Sequence, residues 1–299
     1  MVTTGDTHRP PFVDAHFHLW DHGVLRYPWL ADPAQAAIAP DYRIDDYRRE
    51  TAAWHPVGAV HVDAGAHPDQ GRAETDWLTG VAAANRLPGA IVARVALDRA
   101  DVEDELAWQA AQPGVRGIRH LISWHPRDAS RCAYDRDLTR DSAWARGFAL
   151  LADYGLSFDF HGFPPQLAGL ADLARAHPDV PVVLNHLALP ILSDGLDEWR
   201  SGLIALAELP HAAIKLSGAG FIDPALDPTV LAPIVDEVID RFGAHRVMIA
   251  TNFPTDRLAA GLDATLSTYA TLLSGLSDDE QRAVWGRSAD RFYRLGLDL

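Results

Sequence analysis

The chain has 299 residues, 48% of them hydrophobic, which is enough for one large buried core or two ordinary ones. Its formal charge of −15 disfavours nucleic acid and anionic membranes as partners, because both repel a negative surface. No apolar run approaches the ~20 residues of a membrane span. The single cysteine, Cys132, excludes an internal disulfide and predicts a reducing, cytoplasmic location, so any metal must be held by histidine and carboxylate. Residues 1–10 are polar, lack the apolar core of a signal peptide, and are predicted to be a short frayed lead-in.

The first apolar run, at 12–20, contains two histidines separated by one residue. In an extended strand, side chains two residues apart leave on the same face, so His16 and His18 are predicted to point the same way. Such a pair suits a divalent metal, or a shared anionic or proton-transfer site. The alternative is two polar residues at a strand end that hydrogen-bond to loops. The residues that follow other strands decide between these interpretations.

Apolar runs and helical segments then alternate along the whole chain. The runs begin near Phe12, Val57, Ala90, Val115, Leu156, Val180, Ala212 and Arg246. Helices are predicted at 42–54, 74–85, 101–111 with Asp101 as N-cap, 141–154, 165–177, 199–209, 228–242, 258–273 and 278–293. A long aromatic and proline-rich loop at 21–40 carries Trp29, which we expect to line a site or to pin the loop to the core.

Eight such units in one chain predict a single-domain α/β protein over residues 1–299, a (β/α)8 barrel of the triosephosphate isomerase type. A doubly wound open sheet is the alternative. That fold usually places a glycine-rich phosphate turn after the first strand, whereas this chain has His-Phe-His there. The barrel is therefore favoured.

In such a barrel, catalytic side chains lie at the carboxyl ends of the strands. The polar residues that fall there are His16 and His18 (first strand), Asp63 (second), Arg119 and His120 (fourth), His161 (fifth), His186 (sixth), Ser217 (seventh) and Asn252 (eighth). Five of the fourteen histidines thus reach one rim of the predicted barrel. Histidines scattered through a core would not concentrate in this way, so the pattern favours a functional site.

This pattern resembles the amidohydrolase superfamily, and more narrowly its lactonase-like branch, which includes sugar-lactone and pyrone-dicarboxylate lactonases. The resemblance rests on DAHFHLWD at 14–21, YPWL at 27–30, GIR at 117–119, NHLALP at 185–190, KLSG at 215–218 and NFP at 252–254. It implies a hydrolase that acts on a small cyclic ester bearing carboxylate or hydroxyl groups. It also places His16, His18, His186 and Asn252 among the catalytic residues.

One position departs from the superfamily pattern, which typically has an aspartate after the eighth strand. Asn252 stands there, and an amide cannot accept a proton at ordinary pH. His186, whose imidazole can titrate near neutrality, is the better candidate base. Asp256 is a further candidate if its loop folds back, although a helix N-cap is the simpler interpretation.

The sequence leaves open whether the reaction uses a metal ion. His16, His18 and His161 could present three nitrogens to a divalent metal such as zinc and leave a position for water. The resemblance also allows a metal-free reaction that uses histidines and arginines. Substrate contacts are predicted for Arg119, His120, Trp29 and Ser217, with Arg119 able to clamp a carboxylate or, alternatively, to buttress the barrel.

Three functions compete on this sequence. The first is lactone hydrolysis, and the second is metal-assisted decarboxylation or hydration of a carboxylated ring compound. The third is a non-catalytic binding protein, which the five histidines at the rim disfavour. The expected partner is a small-molecule substrate, with neither nucleic acid nor membrane, and association into a homo-oligomer is left open.

Overall fold

The structure is a computed structural model that describes residues 10–299, so the predicted lead-in lies, apart from Pro10, outside the described residues. Eight parallel strands form one sheet in the order of the chain. They are β1 (Val13–Phe17), β2 (Gly58–Val62), β3 (Ala90–Arg94), β4 (Val115–Arg119), β5 (Ser157–Phe160), β6 (Val182–Leu184), β7 (Ala212–Leu216) and β8 (Val247–Ile249). All eight predicted strands are confirmed, and the consecutive order excludes a doubly wound sheet.

Helices connect the strands on the outside of the sheet. They are α1 (Ile44–Glu50), α2 (Gly71–Asn85), α3 (Val102–Ala110), α4 (Ser142–Leu150), α5 (Pro164–Ala176), α6 (Asp197–Ala207), α7 (Ala219–Ile222), α8 (Pro228–Phe242), α9 (Leu262–Leu272), α10 (Asp278–Arg282) and α11 (Ser288–Tyr293). The alternation of strands and helices makes the fold a (β/α)8 barrel, as predicted.

The barrel closes between β1 and the segment that follows β8. Backbone hydrogen bonds join Asn252 N to His16 O at 2.7 Å and His18 N to Phe253 O at 2.8 Å. Phe17 and Phe253 form a parallel bridge at the same place. The ends of the first and last strands, and the side chains that follow them, are therefore held in contact.

Three local predictions need correction. Asp101 precedes α3 but does not cap it, because its carboxylate pairs with Arg99 at 2.8 Å. The last predicted helix is split by a π-helical turn at Ala283–Arg287. The four-residue helix α7 was not predicted, since it is too short to show a periodic pattern.

The sheet buries side chains on both faces. The inner face packs small and branched residues, among them Ala15, Val62 and Val92, together with Met248, against Tyr293 of α11. A larger core lies between the outer face of the sheet and the helices. Among residues 10–299, no helix is long and apolar enough to cross a membrane.

Candidate active site

A cavity of about 420 Å³ opens at the carboxyl ends of the strands. Residues at or beyond the carboxyl ends of all eight strands line it: His18, Pro28, Trp29, Ala64, Gly65, Ala66, Pro68, Arg94, Arg119, Leu121, His161, His186, Phe221, Asn252 and Thr255. His16 lies behind this lining, fully buried against His18 and His186. The structure thus places His16, His18, His161, His186 and Asn252 in or directly behind this cavity.

His16 and Asn252 each place a polar atom beside His18 Nε2, and we call these three residues the triangle. His18 Nε2 lies 3.1 Å from His16 Nε2 and 3.1 Å from Asn252 Oδ1. The register of β1 against β2 is irregular between Asp14 and Phe17. This irregularity, typical of a β-bulge, accompanies the inward orientation of both His16 and His18.

The backbone of β2 fixes which nitrogen of His18 carries a proton. His18 Nδ1 faces the carbonyl oxygen of Val62 at 2.7 Å, and His16 Nδ1 faces Asn185 Oδ1 at 3.3 Å. A backbone carbonyl oxygen can only accept, so His18 Nδ1 is the donor and His18 Nε2 keeps a lone pair. That lone pair and the amide oxygen of Asn252 therefore face each other without a proton between them.

Asp256 lies behind the triangle and orients Asn252. Its carboxylate accepts from Asn252 Nδ2 at 2.6 Å and from Gly218 N at 3.0 Å, and its side chain is buried. The interpretation of Asp256 as a helix N-cap is therefore wrong, because its acceptors are used by the site. Burial raises the pKa of Asp256 to about 7.

A buried ion pair below the triangle was missed by sequence reasoning. Lys215 Nζ lies 2.5 Å from Asp159 Oδ2, and both side chains are fully buried. Tyr293 also donates to Asp159, at 2.9 Å, while Lys215 Nζ approaches His16 Nδ1 at 3.5 Å. The signal was present in the sequence as a lysine inside the apolar run at 212–216.

His186 presents one nitrogen to Ser217 and the other to the cavity. Its Nδ1 lies 2.8 Å from Ser217 Oγ, the only side-chain hydrogen bond it makes among the described residues. Gly218, at φ +66°, allows this approach, because a Cβ there would lie 2.8 Å from His186 Cβ. Burial, and then the neighbouring His161, lower the pKa of His186 well below the near-neutral value expected from sequence.

His161 reaches the cavity but does not join His16 and His18. Its ring packs edge-on against His186, with ring centroids 5.2 Å apart, and its Nδ1 has no hydrogen-bond partner among the described residues. Across residues 10–299, no group of three or more histidine, cysteine, aspartate or glutamate side chains is arranged to hold a metal ion. His16, His18 and His161 therefore show no preformed metal-ligand arrangement among the described residues, whereas Asn252 Oδ1 lies beside His18.

Two arginines line the cavity, and only one of them has an acidic partner among the described residues. Arg119 is buried against Asp63, with Nε 3.4 Å from Oδ2. Arg94, which sequence reasoning missed, donates to the carbonyl of Ala66 at 2.8 Å and has no acidic partner within ion-pair distance among the described residues. Burial and then Asp63 raise the pKa of Glu74 well above its usual range, which favours a neutral carboxyl there. The cavity wall therefore carries a surplus of positive charge.

Of the other residues predicted to contact the substrate, Trp29 lines the cavity, whereas Ser217 and His120 do not. Trp29 lines the cavity and is pinned by a hydrogen bond from Nε1 to Ala64 O at 2.9 Å, so both expectations for it hold. Ser217 lies behind His186 rather than in the lining.

His120 does not reach the cavity. It is buried on the outer side of β4, where its Nδ1 accepts from Leu97 N at 3.2 Å and from Trp144 Nε1 at 3.1 Å. Its Nε2 lies 2.7 Å from the hydroxyl of Tyr134. Adjacent strand residues face opposite sides, so with Arg119 inside the barrel His120 must lie outside it.

Comparison with known proteins agrees with this architecture. The family profile described as Amidohydrolase matches residues 13–295. The protein y4mH of Sinorhizobium fredii is 34% identical over 95% of this chain and 98% of its own. An L-fucono-1,5-lactonase of Burkholderia multivorans is 29% identical over 95% of this chain and 96% of its own.

A solved structure gives the same result. An amidohydrolase of Burkholderia multivorans, determined with bound zinc, superposes with a TM-score of 0.80 at 28% identity, covering 95% of this chain and 99% of that one. The match extends over nearly the whole length in each comparison. This chain belongs to the amidohydrolase family.

Proposed function

We propose that the protein hydrolyses a small lactone bearing carboxylate or hydroxyl groups. The observation that carries the proposal is a single cavity that joins a free imidazole nitrogen of His186, the triangle of His16, His18 and Asn252, and the guanidinium groups of Arg94 and Arg119. The relatives named L-fucono-1,5-lactonase, 29% identical to this chain, support the same reaction class.

His186 is the proposed general base. Ser217 holds Nδ1, so the ring orientation is fixed and Nε2 remains available toward the cavity. Asn252 cannot serve as the base, because a neutral amide does not accept a proton at ordinary pH, and its Nδ2 already donates to Asp256. The assignment follows from which nitrogen faces the cavity.

The proposed reaction balances with one water and one base. His186 Nε2 takes a proton from water while the water oxygen bonds to the lactone carbonyl carbon. The bond between that carbon and the ring oxygen then breaks, and the imidazolium returns the proton to the ring oxygen. The product is the open hydroxy acid, and His186 ends as it began.

The triangle fits a divalent metal ion, zinc being the one suggested by the related structure. His16 Nε2, His18 Nε2 and Asn252 Oδ1 would hold it, because His18 Nε2 lies 3.1 Å from each of the other two atoms and imidazole nitrogens and an amide oxygen can act as metal ligands. Bound there, the metal would supply a Lewis acid for the ester carbonyl or the attacking water. Asp256 keeps the amide oxygen turned toward the imidazoles by accepting from Nδ2.

Arg119 and Arg94 are the proposed anchors for the polar groups of the substrate. A guanidinium matches a carboxylate with two parallel hydrogen bonds, and Arg94 has no competing acidic partner among the described residues. Trp29 supplies an apolar face on the same wall. Together these groups suit a ring with one polar and one apolar side.

A lactone panel with a pH-indicator readout tests the proposal. We expect acid release from carboxylated or hydroxylated lactones, with metal content measured on the same preparation. His186→Gln is the matched inactive control. If no lactone in the panel is turned over, lactone hydrolysis is contradicted. Release of carbon dioxide from a carboxylated ring compound would instead support the decarboxylation considered from the sequence.

A further inference from the structure

A second cavity of about 510 Å³ adjoins the first. The two share His161 and Phe221 in their linings, so the cleft continues past the catalytic side chains. The second cavity is lined by Arg131, His161, Phe163, Leu189, Pro190, Ile191, Leu192, Ser193, Phe221 and Ile222. Neither the lactonase reaction nor the metal triangle requires this space.

The second cavity is mainly apolar. Phe221 and Leu192 border it with exposed fractions of 47% and 44%. Among residues 10–299, the other large hydrophobic residues with a comparable exposed fraction are Val24, Val57, Ile204 and Leu258. The charged residue in the lining, Arg131, pairs with Asp128 at 2.8 Å. An apolar surface left open beside a catalytic cavity is typical of a binding site.

The segment that forms one wall also carries His186. Four consecutive residues, His186 to Leu189, have left-handed φ values of 54°, 57°, 59° and 46°. Non-glycine residues rarely adopt this conformation, and strained backbone of this kind tends to persist at functional sites. Trp199 Nε1 stabilises the turn by donating to Leu187 O at 2.8 Å. The same turn therefore aims His186 and builds the apolar wall that begins at Leu189.

We propose that the second cavity is a subsite for an apolar substituent, an alkyl or aryl group, on the ring of the lactone. The polar ring lies among the histidines and arginines, and the substituent passes Phe221 into the space bounded by Leu189 and Leu192. This inference rests on the proposed lactone hydrolysis, because the first cavity sets where the ring lies. It adds the chemical class of the substrate, a lactone with one apolar arm.

Binding measured without turnover tests the subsite independently of the reaction. The ring-opened hydroxy acids of δ-valerolactone and δ-decalactone differ only by a pentyl chain, and titration calorimetry gives their Kd values. We expect the pentyl compound to bind at least about tenfold tighter, because each buried methylene adds to affinity. Leu192→Asp and Phe221→Asp should each reduce this ratio, and Ile204→Asp, at another exposed hydrophobic residue on α6, should leave it unchanged.

Equal affinities of the two acids for the wild-type protein would overturn the subsite. So would a ratio that survives in both Leu192→Asp and Phe221→Asp. A failed lactone panel combined with a preserved preference for the pentyl acid would instead overturn the reaction and leave the subsite standing. Circular dichroism of each variant confirms that the fold is intact before affinities are compared.

Discussion

His120 and His161 follow neighbouring strands, β4 and β5, yet their surroundings differ completely. His120 is surrounded by Leu97, Trp144 and Tyr134, which use both of its ring nitrogens. His161 packs against His186 at the cavity and has an Nδ1 without a partner among the described residues. Position after a strand therefore does not distinguish a structural histidine from a site histidine, whereas the availability of its nitrogens does.

The largest expected effect is a loss of activity when His186, the histidine against which His161 packs, is replaced. His186→Gln removes the proposed base but keeps a side chain that can bond Ser217, so kcat should fall about a hundredfold or more. Steady-state kinetics and the thermal midpoint of unfolding check this. Near-wild-type turnover in a folded His186→Gln variant would transfer the role of base to another group.

Introducing a negative charge at position 252 should increase the affinity of the triangle for metal. Asn252→Asp supplies an anionic ligand beside His16 and His18, and we expect zinc to bind at least about tenfold more tightly in a chelator competition. The control is Asn252→Asp combined with Asp256→Asn, which restores an amide–carboxylate pair. Unchanged zinc affinity in both variants would show that Asn252 is not a ligand.

Arg94→Met should weaken binding selectively. Because Arg94 has no acidic partner within reach among residues 10–299, its loss leaves no buried charge unpaired, and KM for a carboxylated lactone should rise about tenfold with kcat little changed. A neutral lactone should show no such rise. Arg116→Met is the control, since the side-chain hydrogen bond that Arg116 makes among the described residues is to Val115 O at 2.9 Å. An equal rise for both lactones would contradict the assignment.

On the outer side, His120→Leu should affect stability and not catalysis. The change leaves Leu97 N and Trp144 Nε1 without their acceptor, which costs about 2 kcal/mol of unfolding free energy. Urea denaturation measures that loss, and kinetics should stay within about twofold of wild type. His161→Leu should do the reverse, losing activity with little change in stability. A catalytic defect in His120→Leu would break the comparison.

A further expected effect is a difference in the pH dependence of stability. Burial lowers the pKa of His120 from 6.5 to about 4, so the folded protein binds this proton less readily than the unfolded chain does. The stability that this histidine contributes is present above pH 6.5 and is lost as the pH falls toward 4. His120→Gln should therefore show a shallower loss of unfolding free energy than wild type across that window. The other buried histidines act equally in both proteins, so parallel curves would exclude the effect.

Much of this architecture was readable from the sequence. Alternating short apolar runs predicted all eight strands. Arg119 and His120 were both expected to contact the substrate, although the two-residue period of a strand turns them to opposite sides. The His-x-His spacing indicated a shared direction for His16 and His18, although the irregular register of β1 that accompanies it leaves no recognisable pattern.

The missed features depend on contacts between distant residues. Asp256 looked like a helix cap because only the folded loop brings it to Asn252. Lys215 and Asp159 lie 56 residues apart, so their pairing was not visible locally. The left-handed run that begins at His186 contains no glycine to announce it.

The way in which the barrel closes has a further consequence. His18 and Asn252 are 234 positions apart, and they meet across the seam where Asn252 N bonds His16 O. A cation held there would be coordinated by residues that follow the first and the last strand, and so would cross-link the two ends of the sheet. Such a ligand can bind only a closed ring, so by linkage it raises the free energy of unfolding in proportion to the logarithm of its concentration above Kd. Resistance to heat and the capacity for catalysis would then rise and fall together with the supply of metal.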